Sequence, residues 1–337
     1  MVRVAINGFG RIGRMVLRAG INDPDIVWVA VNDLTDPKDL AYLFRYDTTQ
    51  GIFNGTVEAK ANSLVINGKE IKVISEKDPE KLPWKSLGVD VVVESTGFFT
   101  NKKDAVKHIK AGAKKVLVSA PCKCYAGETP VKTIVKGVNE NTLTKDDVIV
   151  SNASCTTNCL APMVKVLHDN FKVKRGLMTT VHSYTADQKL VDAPHKDPRR
   201  GRSAAENIII TTTGAAKTVT EVIPDLKGKL DGFALRVPTP TGSFTDFVCE
   251  LEKSPSVDDI NSLFKSVADN ELKGVLEYND DPIVSSDIVG NPSSCIFDPS
   301  FTKTIGGNFV KIGGWYDNEY GYSVRMVDLL KIMHRTR

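Results

Sequence analysis

The apolar run Val2–Ile6 ends in Asn7-Gly8-Phe9-Gly10-Arg11-Ile12-Gly13 and gives way to a helical stretch. A strand that turns through glycines into a helix leaves few folds open, and the next segments narrow them further. Apolar runs recur at Ile26–Val31, Val89–Val93, Val116–Val118 and Val148–Val150. They are short, non-alternating and bounded by turn residues, which suits strands covered on both faces of a parallel sheet. Between them, Asp36-Pro37 opens a helix to about Arg45, and Asn101 through Ala111 reads the same way. Alternating strands and helices predict a doubly wound α/β sheet. Thr56 to Ile74 alternates in character around Asn67-Gly68, which predicts an antiparallel hairpin inserted in that sheet.

Beyond about residue 151 the architecture changes. Leu177–Tyr184, Phe233–Val237, Ser243–Leu251 and Asn308–Tyr316 read as longer strands, several of them alternating, and predict a mainly antiparallel sheet. Helices are expected from Ser203 to Ile223 and from Val257 to Ala268. A last amphipathic helix, Glu319 to His334, carries Tyr322, Met326, Leu329 and Met333 along one side. The expected division is 1–151 for the first domain, completed by the C-terminal helix 318–337, and 152–317 for the second. With 337 residues, each can bury its own core.

A net charge of +3 is too small to imply a nucleic-acid partner. The dense basic cluster Lys196, Arg199, Arg200 and Arg202 reads, by itself, as a solvated surface loop. No apolar run reaches the length of a membrane span, and the N-terminus lacks a signal-peptide pattern. The six cysteines are too scattered for a disulfide framework and miss the paired spacing of a zinc site, so no metal is expected. A reducing cytoplasm is the expected location.

Gly8, Gly10 and Gly13 form a GxGxxG between a strand and a helix. Such a turn lets backbone approach a pyrophosphate, while the helix N-terminus offers N–H groups and partial positive charge. The second strand ends in Asn32-Asp33, with Asp33 about twenty residues beyond Gly13, the spacing at which a carboxylate meets a ribose. That carboxylate would repel a 2′-phosphate, so NAD is expected over NADP.

Cys155 follows the run Val148–Val150 and opens an apolar helical stretch, so it stands where a strand turns into a helix. A thiol there is expected to have its pKa lowered by the helix dipole. Two readings remain open for it, a nucleophile or a buried structural cysteine, the second suiting Cys159 better. Among five histidines, His108, His168 and His334 lie on helices with charged neighbours and read as solvated, and His195 sits in the basic loop. His182 lies in a strand among small hydroxyl residues, as either a core histidine or the base of a Cys–His pair.

NGFGRIGR, SNASCTTNCLAP, TTVHSYTADQ, TTTGAAK, RVPTPTGS and WYDNEYGYS occur in that order. Together they closely resemble the phosphorylating glyceraldehyde-3-phosphate dehydrogenases over essentially the whole chain. The resemblance implies a Rossmann-type NAD domain and an α+β catalytic domain, with Cys155 as nucleophile and His182 as its base. It implies that Arg11 and Ile12 contact the pyrophosphate, Asp33 the adenosine ribose, and that Lys77 and Ser119 lie near the cofactor. Asn318 would hold the nicotinamide carboxamide, with Tyr322 nearby. Thr185 and Arg236 would take the C3 phosphate of glyceraldehyde 3-phosphate. Ser154, Thr156, Thr213 and Gly214 would take inorganic phosphate, with Arg200 close by. The basic loop then becomes part of an anion site and a subunit interface, and a homotetramer is implied.

Erythrose-4-phosphate dehydrogenase is the alternative within the same scaffold; a cysteine hydrolase without redox chemistry and a binding protein are the more distant ones. The chain departs from the family at Ala120–Pro130, a longer loop carrying Cys122 and Cys124 that reads as a surface insertion. It departs again at Ala193-Pro194, where small residues accompany NADP use in some members; Asp33 outweighs this.

Overall fold

The computed structural model describes residues 1–336 and divides into two compact units. One comprises residues 1–134, 140–153 and the chain from Ser323 onward; the other comprises residues 135–139 and 154–322.

The first unit is built on a nine-stranded sheet. Its strands are β1 (Val2–Asn7), β2 (Ile26–Asn32), β3 (Val57–Lys60), β4 (Ser63–Ile66), β5 (Lys69–Ile74), β6 (Val91–Glu94), β7 (Lys115–Val118), β8 (Lys132–Thr133) and β9 (Ile149–Ser151). Their spatial order is β3-β4-β5-β2-β1-β6-β7-β9-β8. From β5 to β8 every pairing is parallel. The strands grow outward from β1 through β2, then restart on its other side with β6. That reversal makes the β1–β6 edge the topological switch point, where open α/β sheets bind ligands.

Helices α1 (Arg11–Gly20), α2 (Pro37–Arg45), α3 (Trp84–Leu87) and α4 (Lys102–Lys110) connect the strands. Asp36 caps α2 by accepting from Lys38 N–H (2.8 Å), with Pro37 at the first position. Asn101 caps α4 by accepting from Asp104 N–H (2.9 Å). The 56–74 segment departs from a simple inserted hairpin. It makes three strands, with β5 joining β2 in parallel and β3–β4 extending the sheet edge. Asn67 and Gly68 both have positive φ (49° and 75°), the geometry of a tight hairpin turn between β4 and β5.

The second unit opens with α5 (Cys155–Phe171). Its sheet contains β10 (Val173–Ser183), β11 (Ile209–Thr212), β12 (Leu230–Val237), β13 (Ser243–Leu251), β14 (Leu276–Tyr278), β15 (Cys295–Phe297), β16 (Lys303–Ile305) and β17 (Phe309–Tyr316). The order is β11-β12-β10-β13-β17-β15-β14, with β16 on β17. The sheet is mixed: β10–β12 and β14–β15 are parallel and the rest antiparallel. Along β13 every second residue is buried, Phe247, Cys249 and Leu251 among them, as expected of a sheet with one packed face.

The expected helix from Ser203 to Ile223 is overturned. Only α6 (Ala215–Val222) is helical there, and Ile209–Thr212 is a strand. Consecutive isoleucines and threonines are stiff at χ1 and pair against β12 instead, so the helix waits for Gly214 and the alanines behind it. The other predicted helix forms as α7 (Val257–Asp269), closed at its start by a Ser256–Asp259 capping box. In α8 (Tyr320–Arg335) the residues Tyr322, Met326, Leu329 and Met333 are all buried. No helix among the described residues is long and apolar enough to cross a membrane.

Two histidines expected on the surface are buried. His108 is wholly enclosed, bonded to Trp84 and Glu94, and His168 accepts from Val173 N–H (3.2 Å) at the end of α5. Charged residues beside a histidine in sequence occupy other faces of the helix, so they do not report the face it uses.

Candidate active site

In the first unit, the turn after β1 is shaped by contacts that exclude side chains. Gly8 has φ +90°, and a Cβ there would stand 2.6 Å from Thr96 N; a Cβ on Gly13 would stand 2.2 Å from the Gly8 carbonyl. Gly10 is the N-cap of α1 and supplies no side-chain cap, which leaves the helix start bare for an anion. Asp33 accepts from Phe9 N–H at Oδ2 (2.8 Å) and from Thr35 N–H at Oδ1 (3.0 Å), so the acid at the end of β2 braces the turn. Further lone pairs on each oxygen can take ribose hydroxyls. A close-packed glycine turn, an uncapped helix start and an anchored carboxylate fit a dinucleotide. Arg11 turns its guanidinium onto Asp47 and Thr49, so any contact with a pyrophosphate comes from its backbone N–H. Ile12 is half-buried, Lys77 exposed, and Ser119 half-buried at the end of β7, its N–H donating to the Glu94 carbonyl (2.9 Å).

In the second unit, Ser154 is the N-cap of α5, its Oγ accepting from Thr157 N–H (3.1 Å), and Cys155 is the first helical residue. Cys155 Sγ lies 3.4 Å from His182 Nε2. His182 sits on β10 directly opposite Arg236 of the parallel strand β12. Its Nδ1 stands 2.7 Å from the Ser183 carbonyl; with the ring proton on Nδ1, the Nε2 lone pair faces sulfur. Arg236 Nη1 donates to the same carbonyl (3.0 Å).

Charging either partner alone is opposed. Burial pushes the Cys155 thiol up, against the lowering expected of the helix dipole, with Arg236 and Thr156 pulling down. Burial and then the Arg236 guanidinium push His182 down to about 3. Moving one proton from Sγ to Nε2 charges both at once, so the two act as a coupled pair.

The anion-binding candidates form two groups. Thr185 donates to Asp187, and Arg200 reaches the same carboxylate through Nη1 (2.6 Å) and Thr211 Oγ1 through Nε (2.8 Å). Arg236 Nε is buried and has no partner among the described residues, an orphaned donor that suits an oxyanion. In the other group, Thr213 Oγ1 accepts from Ala215 N–H (3.2 Å), and Gly214 caps α6 without a side chain. Thr156 differs from expectation: its hydroxyl is turned onto Tyr316 (2.9 Å), so only its N–H remains for an anion. The basic loop is not simply solvated, since Arg200 is drawn in by Asp187 and Thr211, while Arg199 and Arg202 stay exposed.

Asn318 Oδ1 accepts from Ser183 Oγ (2.9 Å), Ser243 Oγ (2.9 Å) and Gly242 N–H (3.1 Å). With the oxygen fixed, the amide NH₂ becomes its donor. Tyr322 is buried. Sequence reasoning missed Tyr316 and Asp187. The Tyr316 hydroxyl joins Thr156 and Thr180 (2.8 Å), and its ring meets His182 edge-on at 6.0 Å. Asp187 is two residues beyond Thr185, and its adjacency was the available signal.

A glycine turn at the switch point of a parallel sheet, and a cysteine–histidine pair beside arginine and threonine side chains, are the parts of a dinucleotide-dependent dehydrogenase. A family model described as "Glyceraldehyde 3-phosphate dehydrogenase, NAD binding domain" matches residues 2–102, and one described as the C-terminal domain matches residues 154–318. Glyceraldehyde-3-phosphate dehydrogenase of Geobacillus stearothermophilus is 56% identical over 329 residues, 97% of each chain. Glyceraldehyde-3-phosphate dehydrogenase 1 of Bacillus cereus is 55% identical over 99% of this chain and 98% of its own. The Neurospora crassa enzyme is 52% identical over 99% of this chain and 98% of its own. This chain belongs to the glyceraldehyde-3-phosphate dehydrogenase family.

Proposed function

We propose that the chain performs the family's reaction through the residues described above. It oxidises D-glyceraldehyde 3-phosphate with NAD and inorganic phosphate to 1,3-bisphosphoglycerate. The observation that carries this reading is the Cys155–His182 contact with Arg236 in register beside it. Cys155 sulfur adds to the aldehyde as its proton passes to His182 Nε2. The oxyanion takes that proton back from the imidazolium, with N–H groups at the start of α5 beside it, and becomes the hemithioacetal hydroxyl. His182 then takes the hydroxyl proton of the hemithioacetal as hydride leaves carbon, and a thioester remains on Cys155. NAD, when bound, accepts that hydride. Phosphate attacks the thioester and expels the Cys155 thiolate, so the energy of oxidation is kept as an acyl phosphate.

Arg236 and Thr185 hold the C3 phosphate in this scheme. Arg200, Ser154, Thr213, Gly214 and the Thr156 N–H hold the attacking one. Gly8, Gly10, Arg11, Ile12, Gly13, Asp33, Lys77 and Ser119 serve the cofactor, Asn318 donates to its carboxamide, and Tyr322 lies nearby. Residues 1–151 with the C-terminal helix act as the NAD domain and 152–317 as the catalytic domain. The test is NADH absorbance with substrate, NAD and phosphate, repeated without phosphate, with NADP, with erythrose 4-phosphate, and with Cys155→Ser. Phosphate-dependent turnover that vanishes in the variant supports the scheme. One stoichiometric burst without turnover would refute the phosphate assignment, and preference for erythrose 4-phosphate would refute the substrate.

A homotetramer is the expected assembly. Leu177 (67% exposed), Phe233 (44%) and Phe309 (49%) leave apolar side chains of the catalytic sheet open to a partner subunit. Light scattering on the purified protein tests it. All six cysteines are free thiols, which supports a reducing cytoplasm as its place.

A further inference from the structure

Beneath the glycine turn runs a chain of buried polar side chains that the sheet itself does not require. Trp84 Nε1 donates to His108 Nδ1 (3.0 Å). An indole N–H is only a donor, so Nδ1 is the acceptor and the imidazole proton sits on Nε2. That Nε2–H donates to Glu94 Oε2 (3.0 Å), which also accepts from Asn7 Nδ2 (2.6 Å). Glu94 Oε1 accepts from the N–H (2.8 Å) and the hydroxyl of Thr96. Asn7 Oδ1 accepts from Asn32 Nδ2 (2.7 Å), and Asn32 Oδ1 from Glu76 N–H (2.9 Å). Trp84 and His108 are wholly buried, and Glu94, Asn7 and Asn32 nearly so.

A buried carboxylate and its retinue cost more than an apolar core unless every member is satisfied. Their placement gives the reason for keeping them. Asn7 immediately precedes Gly8, Asn32 precedes Asp33, and Glu76 precedes Lys77. Thr96 is the backbone against which Gly8 packs, and Ser95 Oγ donates to the Gly8 carbonyl (2.7 Å). One carboxylate at the end of β6 therefore ties together the ends of β1 and β2 and the segment after β5.

We propose that Glu94, oriented by His108 and Trp84, is the positioning residue of the dinucleotide site. It holds the glycine turn and the Asp33 strand end in binding geometry before NAD arrives. This rests on the NAD reading above. All four groups around Glu94 are donors, so Glu94→Gln sets an NH₂ against them and breaks the chain at its centre. His108→Gln keeps it, because one amide can accept from Trp84 and donate to Glu94.

The experiment measures NAD affinity by titration calorimetry and amide hydrogen exchange of NAD-free protein over residues 5–14. Alkylation of Cys155 by iodoacetamide without NAD serves as the reference for an intact catalytic unit. Glu94→Gln is expected to weaken NAD binding about tenfold or more, the scale of a lost charge-assisted hydrogen bond. Exchange in the turn should accelerate while Cys155 alkylates at the wild-type rate. His108→Gln should stay within about threefold of wild type, and His108→Phe, which cannot bridge, should fall between. If Glu94→Gln does not fold, the contrast between the two His108 variants decides. Wild-type affinity with unchanged turn exchange in Glu94→Gln, or equal behaviour of the two His108 variants, overturns the proposal. So does faster exchange spread evenly over the protein. Wild-type protein that fails to bind NAD would overturn the cofactor reading itself, before any variant is compared.

Discussion

His182 and Arg236 face each other across the parallel pair β10–β12, and Arg236 Nη1 lies 2.9 Å from His182 Nδ1. Strand register alone brings a base and a guanidinium, 54 residues apart, to one place. Both also converge on the Ser183 carbonyl, 2.7 Å from Nδ1 and 3.0 Å from Nη1.

Arg236→Leu removes the proposed donor to the C3 phosphate. Charge-assisted hydrogen bonds of this kind are worth roughly 1.5–3 kcal/mol each, so kcat/KM for glyceraldehyde 3-phosphate should fall about 100-fold. The loss should appear mainly in KM, because the contact exists in ground and transition states alike. Steady-state kinetics check this, and an unchanged KM would remove Arg236 from the substrate site.

His182→Asn leaves Cys155 without a group to take its proton. Burial pushes this thiol up, and no base then stands beside it to take the proton. Since only the thiolate alkylates, the rate with iodoacetamide at pH 7 should fall by about tenfold or more and climb with pH beyond 9. Wild-type protein, able to charge both partners together, should react at lower pH. Identical pH–rate profiles for the two proteins would refute the coupling.

Tyr316→Phe deletes the hydroxyl shared by Thr156 and Thr180. Two hydroxyls lose a buried partner, which costs about 1–3 kcal/mol. Urea unfolding followed by circular dichroism should show a lower midpoint with an unchanged slope. Turnover should persist, because Tyr316 touches His182 only through its ring edge.

Gly8→Ala forces a Cβ to within 2.6 Å of Thr96 N at a φ of +90°. The strain is of the order of 1–3 kcal/mol and falls on the glycine turn. NAD affinity should drop more than Cys155 alkylation, as calorimetry and iodoacetamide labelling would show. Equal NAD affinity in the variant and the wild type would mean that the turn does not position the cofactor.

Much of this molecule was legible in its sequence because the signals are local. Asp36-Pro37 and Asn101 cap helices through their own backbone neighbours, Asn67-Gly68 turns because of their own φ angles, and the glycines after β1 are required by a turn only seven residues long. Ile209–Thr212, inside the stretch expected to be helical from Ser203 to Ile223, forms a strand because its consecutive β-branched residues pair with β12.

The candidate residues Cys155 and His182 were visible as types in context, but their partnership was not. Whether a histidine is solvated, as expected of His108, or buried against a tryptophan and a carboxylate depends on which helix face meets the sheet. Desolvation at Cys155 is equally non-local: the helix dipole belongs to a few adjacent residues, whereas burial is summed over everything packed around the sulfur. The sequence by itself determined the elements, the glycine turn and the chemical identities of nucleophile and base, since each depends on residues within a turn or two. Only the tertiary structure decided the His182–Arg236 register, the Tyr316 bridge and the Glu94 network, because hydrogen bonds and burial between residues far apart in the chain exist only after the strands have paired.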